Sequence, residues 1–125
     1  MTRFKVECYE NLRTFRAPPW LFDDIPETVE WIVQSPFVHV VTFVIDEESA
    51  EDAAHEAFYQ GNVGPGDVEG NVWPHRAHRS MSTGDIVIVE TPDGKVPYAC
   101  LAIGWKQLPP DLSLSLVQPI GAVQP

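Results

Sequence analysis

Proline limits what this chain can fold into more than any other residue type. Twelve of the 125 residues are proline, about twice the usual share, and they stand at positions 18, 19, 26, 36, 65, 74, 92, 97, 109, 110, 119 and 125. Proline fixes φ and lacks a backbone N–H, so it interrupts helices and the inner strands of sheets. The sequence therefore predicts short elements and leaves little room for a long helix.

Hydrophobic alternation and β-branched residues predict most of the strands. Residues 3–9 alternate apolar with polar side chains, which is typical of a half-buried strand. Residues 37–45 carry β-branched and aromatic side chains on both faces and predict a central, buried strand. Residues 85–91 and 96–105 flank a Pro-Asp-Gly-Lys turn and predict a hairpin. Alternating leucines in 112–116 are consistent with a final edge strand.

Two short helices are predicted between these strands. Pro26 suits a first helical turn, and apolar residues at helical spacing follow it through residues 26–34. Ser49 with Asp52 forms a start similar to a capping box. An alanine-rich apolar face follows, and Gly61 is expected to end the helix.

The predicted elements describe one domain that spans residues 1–125. Their order is β-α-β-α-loop-β-β-(β), which indicates an α+β fold. We expect a mostly antiparallel sheet of 4–5 strands, with two short helices and a barrel-like closure as a possibility. Residues 61–84 form a long loop, and loops of this length are usually functional or mobile.

Negative charge is concentrated in one block of the chain. Residues 21–60 contain ten acidic residues and no lysine or arginine, whereas the remaining chain has eight acidic and eight basic residues. The whole formal charge of −10 therefore belongs to this block. Such a block repels nucleic acid phosphates and attracts basic partners. Glu48, Asp52 and Glu56 have the spacing of a row on one helix face, which suggests mimicry of a charged ligand.

A basic and aromatic patch provides the second feature of interest. Trp73, Arg76 and Arg79 lie together in the long loop, with His75 and His78 between them. These side chains can stack on a base or bind a phosphate. They can equally form salt bridges with the acidic block, and the overall charge makes nucleic acid an unlikely partner.

One segment has the pattern of a known family. Its residues are Phe58, Asn62, Trp73, Tyr98, Gly104-Trp105 and the run Arg79-Ser80-Met81-Ser82-Thr83-Gly84-Asp85-Ile86-Val87. This pattern resembles the YodL-like proteins, small and mostly uncharacterised accessory proteins of phages and plasmids. The resemblance covers less than half of the chain, and Thr83 replaces the more usual valine. It implies a mobile-element context and supplies no catalytic residues.

The same motif has a structural interpretation. Gly84 and Asp85 suit a tight turn into a strand, with the Asp85 side chain accepting hydrogen bonds from nearby backbone N–H groups. The hydroxyls of Ser80 and Ser82 can fix the loop against this turn. Arg79 can pair with Asp85 or with an acidic side chain from residues 46–56. The motif can be a structural clasp, or a binding site built on that clasp.

The sequence offers no catalytic, metal or cofactor site. It lacks a G-x-S-x-G elbow, a P-loop and a dinucleotide-binding fingerprint. His75 and His78 form an H-x-x-H pair, but nothing in the spacing predicts further ligands. Cys8 and Cys100 are isolated and are expected to be reduced thiols. With no apolar segment for export or for spanning a bilayer, we expect a cytoplasmic protein without membrane contact.

Together these features predict a non-enzymatic accessory protein that binds a host protein with a basic surface, for host takeover or defence evasion. The predicted contacts are Glu47, Glu48, Glu51, Asp52, Glu56, Trp73, Arg76 and Arg79. Two alternatives stay open. One is a nucleic-acid-associated regulatory domain that uses residues 73–79, and the other is a small ligand-binding protein or enzyme with a pocket beneath the loop. The sequence does not indicate the oligomeric state.

Overall fold

The computed structural model of the chain describes residues 1–13, 25–62, 74, 81–101 and 104–117. These residues form eight elements in chain order: β1 (Thr2–Asn11), α1 (Ile25–Val33), β2 (Pro36–Glu47), α2 (Ala50–Gln60), β3 (Ile86–Thr91), β4 (Gly94–Cys100), β5 (Trp105–Gln107) and β6 (Ser115–Leu116). The strands make one curled, half-barrel sheet in the order β5-β4-β3-β1-β2-β6. The predicted α+β class is confirmed, with six strands in the described residues.

The N-terminal strand lies at the centre of the sheet. β1 pairs antiparallel with β2 on one side and with β3 on the other. Cys8 pairs with Val41 and Tyr9 with His39, so Val40 is an extra residue that forms a bulge in β2. The β6 strand is the exception to antiparallel pairing, because it runs parallel to the first two residues of β2.

The prediction that residues 37–45 form a central, buried strand is wrong. β2 lies next to the edge, and only Pro36 and Phe37 pair with β6. Beyond the bulge its residues alternate between half-buried and exposed, and Val44 is 58% exposed. A run of β-branched residues fits a pleated surface but does not show how many neighbours the strand has.

The two helices cover opposite faces of the sheet. On one face, Ala53, Ala54 and Ala57 of α2 pack with Val6 and Val87 in a buried cluster. On the other face, the core contains Ile32 of α1 together with Tyr9, Phe37, Ile86, Ala99 and Leu108. Neither helix in the described part of the chain is long and apolar enough to cross a membrane.

The predicted hairpin is present, but its second strand is shorter than expected. β3 and β4 pair antiparallel around the turn at Pro92 and Asp93. The predicted strand over residues 96–105 is divided into β4 and β5. Between them, the Leu101 N–H donates to the Gly104 carbonyl oxygen at 3.1 Å, and Gly104 has a φ of 74°. This positive φ favours glycine and reverses the chain.

Candidate partner-binding surface

The start of α2 determines where its acidic side chains lie. Ser49 is the N-cap residue, and its side chain accepts a hydrogen bond from the Asp52 N–H at 3.1 Å. Glu51 and Asp52 therefore occupy the first turn, where negative charge interacts favourably with the helix dipole. Glu48 precedes the N-cap residue and is outside the helix. The prediction that Glu48, Asp52 and Glu56 form a row on one helix face is therefore wrong for Glu48. Asp52 and Glu56 do lie four residues apart within the helix.

Five carboxylates form what we call the acidic surface: Glu47, Glu48, Glu51, Asp52 and Glu56. They lie on the last residue of β2, on the connection after it and on α2. The alanine face of α2 is buried against the sheet, whereas Glu48, Glu51 and Asp52 are exposed and the other two are half-buried. Burial raises the pKa of Tyr98, and the nearby charge of Glu51 raises it further. The acidic surface therefore reaches from the end of β2 towards β4.

The lysine and arginine side chains of β1 and β4 neutralise carboxylates elsewhere. Arg3 pairs with Asp46 at 3.2 Å, Lys5 with Glu90 at 4.0 Å, and Lys95 with Glu7 at 3.1 Å. These side chains alternate along their strands with residues of the α2-side core, so they lie on the opposite face of the sheet.

Glu7 is the least exposed of these paired carboxylates. Burial raises its pKa, but hydrogen bonds from Tyr9 and Lys95, together with the positive charges of Lys95 and Lys5, outweigh that effect and lower the pKa below the ordinary value. The Tyr9 hydroxyl donates to Glu7 at 2.6 Å. The carboxylate is thus kept charged by its neighbours on the sheet.

Within the described residues, no salt bridge neutralises the acidic surface. None of its five carboxylates has a lysine, arginine or histidine within 4.0 Å there. The ten acidic residues of the block do not all contribute to this surface, however. Asp46 pairs with Arg3 on the other face, and Glu30 belongs to α1 on that same side. Only part of the acidic block of residues 21–60 therefore belongs to the acidic surface.

Several predicted contacts lie outside the described residues. These are Trp73, Arg76, Arg79 and Ser80, together with His75 and His78. Of the predicted partner contacts, the structure describes the five carboxylates, and it brings them together at one end of β2 and along α2.

Asp85 joins the beginning of β3 to the end of β1. Its side chain is fully buried, and its two carboxylate oxygens accept hydrogen bonds from the backbone N–H groups of Asn11 and Ser82, each at 2.8 Å. The Asn11 side chain donates to the Gly84 carbonyl oxygen at 3.1 Å, and Gly84 has a φ of 98°. Ser82 contributes its amide to this contact. The geometry is that of a structural clasp.

Asn11 is a residue that the sequence did not indicate. It is 2% exposed, and it bonds to Asp85, which is 74 positions away in the chain. No local pattern around Asn11 marks it, because its importance arises only when β1 and β3 become neighbours in the sheet.

A small cavity lies between α2 and the β4–β5 turn. Its volume is about 180 Å³, and it is lined by His55, Phe58, Cys100, Leu101, Gly104 and Trp105. The rings of Phe58 and Trp105 meet edge to face at a centroid distance of 5.5 Å. Burial raises the pKa of Cys100 to about 12, with a further contribution from the charge of Asp85. The thiol is therefore neutral near pH 7, which does not suit a nucleophile.

Metal-binding geometry is not found among the described residues, where no group of three or more His, Cys, Asp or Glu side chains converges. His39 bonds to Thr42 at 2.6 Å and packs edge to face against Tyr9. His55 lies on α2, on the other face of the sheet. These two histidines thus have separate surroundings.

The buried thiols lead to a prediction about alkaline pH. Burial and the Asp85 charge raise the pKa of both Cys8 and Cys100 to about 12 from 9.0. The unfolded chain loses these protons first, so stability is full below pH 9 and falls as pH rises towards 12. We expect a loss of about 2 kcal/mol between pH 9 and pH 10 for the two thiols together.

Urea unfolding at pH 8, 9 and 10 measures this effect. The matched control is the double variant Cys8→Ala, Cys100→Ala, which should show a clearly flatter dependence over the same pH range. An equally steep dependence in the double variant would show that other groups are responsible.

Comparison with models of known protein families, with curated proteins and with solved structures finds no match to this chain.

Proposed function

We propose that this chain is a non-enzymatic binding protein that uses its acidic surface to recognise a basic surface on a partner protein. The observation that carries the proposal is that five neighbouring carboxylates have no basic partner among the described residues. Charges of one sign that are grouped and not paired internally steer an oppositely charged partner and raise its association rate.

The genetic context belongs to the same proposal. The run from Arg79 to Val87 resembles the YodL-like accessory proteins of phages and plasmids, which favours a bacterial cytoplasm and a host protein as the partner. Binding would then serve host takeover or defence evasion, with the carboxylates imitating the negative charge of the partner's natural ligand. In this view the Asp85 clasp holds the fold together, and recognition takes place on α2 and the end of β2.

A second candidate function is suggested by the cavity beside Trp105. Its aromatic and apolar lining is typical of small-molecule sites, although about 180 Å³ is small for a ligand pocket. A thermal-shift screen with nucleotides and aromatic metabolites tests this alternative. The nucleic-acid alternative depends on residues 73–79, of which only Pro74 is described, and a mobility-shift assay tests it.

Capture of a partner from bacterial lysate tests the main proposal. The immobilised protein should retain a basic protein at low salt and release it as the salt concentration rises, because salt screens exposed charges. Retention that does not respond to salt would contradict recognition by the acidic surface.

A further inference from the structure

The outer edge of β2 is the longest unpaired strand edge in the described part of the molecule. β6 pairs with Pro36 and Phe37, and no described strand pairs with the following residues up to Glu47. An edge of this length presents a row of backbone donors and acceptors that can bind another strand.

The hydrogen bonds show which backbone groups point outward. The Leu12 N–H donates to the Pro36 oxygen on the β1 side, whereas the Val117 N–H donates to the Phe37 oxygen on the outer side. Backbone groups of successive residues alternate between the two sides of a strand, and the extra residue at the bulge shifts this alternation by one. After the bulge, Thr42, Val44 and Asp46 therefore direct their N–H and C=O groups away from β1.

The edge is bordered by different side chains on its two faces. On the face away from α2, Val44 is 58% exposed and offers an apolar contact. On the α2 face, Val41, Phe43 and Ile45 pack against the core, the strand ends in Glu47, and Glu48 follows directly. A strand added here would place alternate side chains beside this row, with the acidic surface beginning at its Glu47 end, and the others beside Val44.

We propose that the outer edge of β2 binds an extended basic segment of the partner protein as an added β-strand, with lysine or arginine side chains opposite the acidic surface. This inference rests on the proposed function and specifies how the partner is held. The charge also selects the occupant. A basic strand is complementary to the acidic surface, whereas a second copy of this chain carries the same net charge of −10 and is repelled.

The chain's own C-terminal segment is poorly suited to continue β6 along this edge. In the parallel register set by Ser115 and Leu116, the next backbone N–H that would donate to β2 after that of Val117 belongs to residue 119. That residue is proline, which has no N–H, so the ladder could not continue unbroken.

Peptide binding tests the inference. The probe is a capped ten-residue peptide that alternates lysine and valine, compared with the same peptide methylated on every backbone nitrogen. The methylated peptide keeps the charge but cannot donate to the edge. We expect its Kd to be at least tenfold weaker. Val44→Pro, which removes one outward N–H, should weaken the unmodified peptide to a similar degree, whereas Val44→Thr, which keeps that N–H, should change its Kd less than twofold.

The outcomes separate this inference from the proposed function. Salt-sensitive binding that is equal for the two peptides would overturn strand addition and leave recognition by charge intact. No salt-sensitive binding of either peptide would contradict the proposed function itself.

Amide hydrogen exchange provides a test that does not depend on the variants folding. The amides of Thr42, Val44 and Asp46 should exchange quickly in the free protein and slowly with the unmodified peptide bound. Slow exchange in the free protein would overturn the inference. If the slow exchange depended on protein concentration, a second copy would occupy the edge. If it did not, the chain's own segment would occupy it.

Discussion

Replacing Asp85 with alanine is expected to lower the free energy of unfolding by about 3–5 kcal/mol. The carboxylate is fully buried and accepts two backbone N–H groups at 2.8 Å. Alanine would remove the acceptor of the buried Asn11 amide and the acceptor of the partly buried Ser82 amide. Each buried donor left unsatisfied costs about 1–3 kcal/mol, and hydrogen bonds to a charged group are stronger than average. The loss would also remove one of the contacts that join the end of β1 to the start of β3.

Urea unfolding monitored by circular dichroism measures this change. Asp93→Ala is the matched control, because Asp93 is an exposed carboxylate in the β3–β4 turn, and its loss should cost less than about 0.5 kcal/mol. Asp85→Asn should fall between the two, since it keeps one acceptor oxygen and places an amide NH₂ beside a backbone donor. If Asp85→Ala stayed within about 1 kcal/mol of the original protein, the clasp would not have the structural role assigned to it.

Removing charge from the acidic surface is expected to produce the largest effect on binding. The variant combines Glu48→Gln, Glu51→Gln, Asp52→Asn and Glu56→Gln, and it leaves β2 unchanged. Each of these surface charges, three exposed and one half-buried, contributes a few tenths of a kcal/mol to an interface. The four together should therefore weaken the Kd for the captured partner roughly tenfold to a hundredfold at low salt.

A control variant with the same net charge separates the position of the charges from their number. It combines Glu30→Gln, Glu90→Gln, Asp93→Asn and Asp111→Asn, all exposed side chains outside the acidic surface. Removing four negative charges from −10 leaves −6 in both variants. The control should bind within about twofold of the original protein, since its changes lie away from the recognition surface. Equal weakening in both variants would show that only the overall charge matters.

Local sequence patterns predicted the elements of this fold well. Alternation identified β1, the Pro-Asp-Gly turn identified the β3–β4 hairpin, and Ser49 with Asp52 marked the start of α2. These features depend on residues that are close in the chain, where side-chain spacing and turn chemistry act directly. The α+β class followed from their order.

The neighbours of each strand were not predictable in the same way. β1 lies in the centre because it pairs with both β2 and β3, and the second of these pairings joins residues about 80 positions apart. The apolar character of β2 suggested burial on both faces, yet Val44 is exposed and Asp46 pairs with Arg3 at the surface. Burial on the second face depends on what packs there, which a β-branched run does not encode.

The candidate site was likewise predictable only where it depends on residues that are close in the chain. The carboxylates near α2 could be identified from charge and helical spacing, but Ser49 moves Glu48 out of the helix. The sequence also gave no indication that Arg3 would neutralise Asp46, because the two are 43 positions apart. The edge of β2 that no described strand pairs beyond Phe37 is likewise a property of strand order and not of any single segment.

The salt dependence of partner binding tests the central claim most directly. The Kd for the captured partner is measured between 50 mM and 500 mM salt for the original protein and for both four-residue variants. Recognition by the acidic surface predicts a steep loss of affinity with salt for the original protein and the control, and a shallow loss for the variant that lacks Glu48, Glu51, Asp52 and Glu56. Three parallel curves would contradict the claim, because binding would then not depend on these four carboxylates.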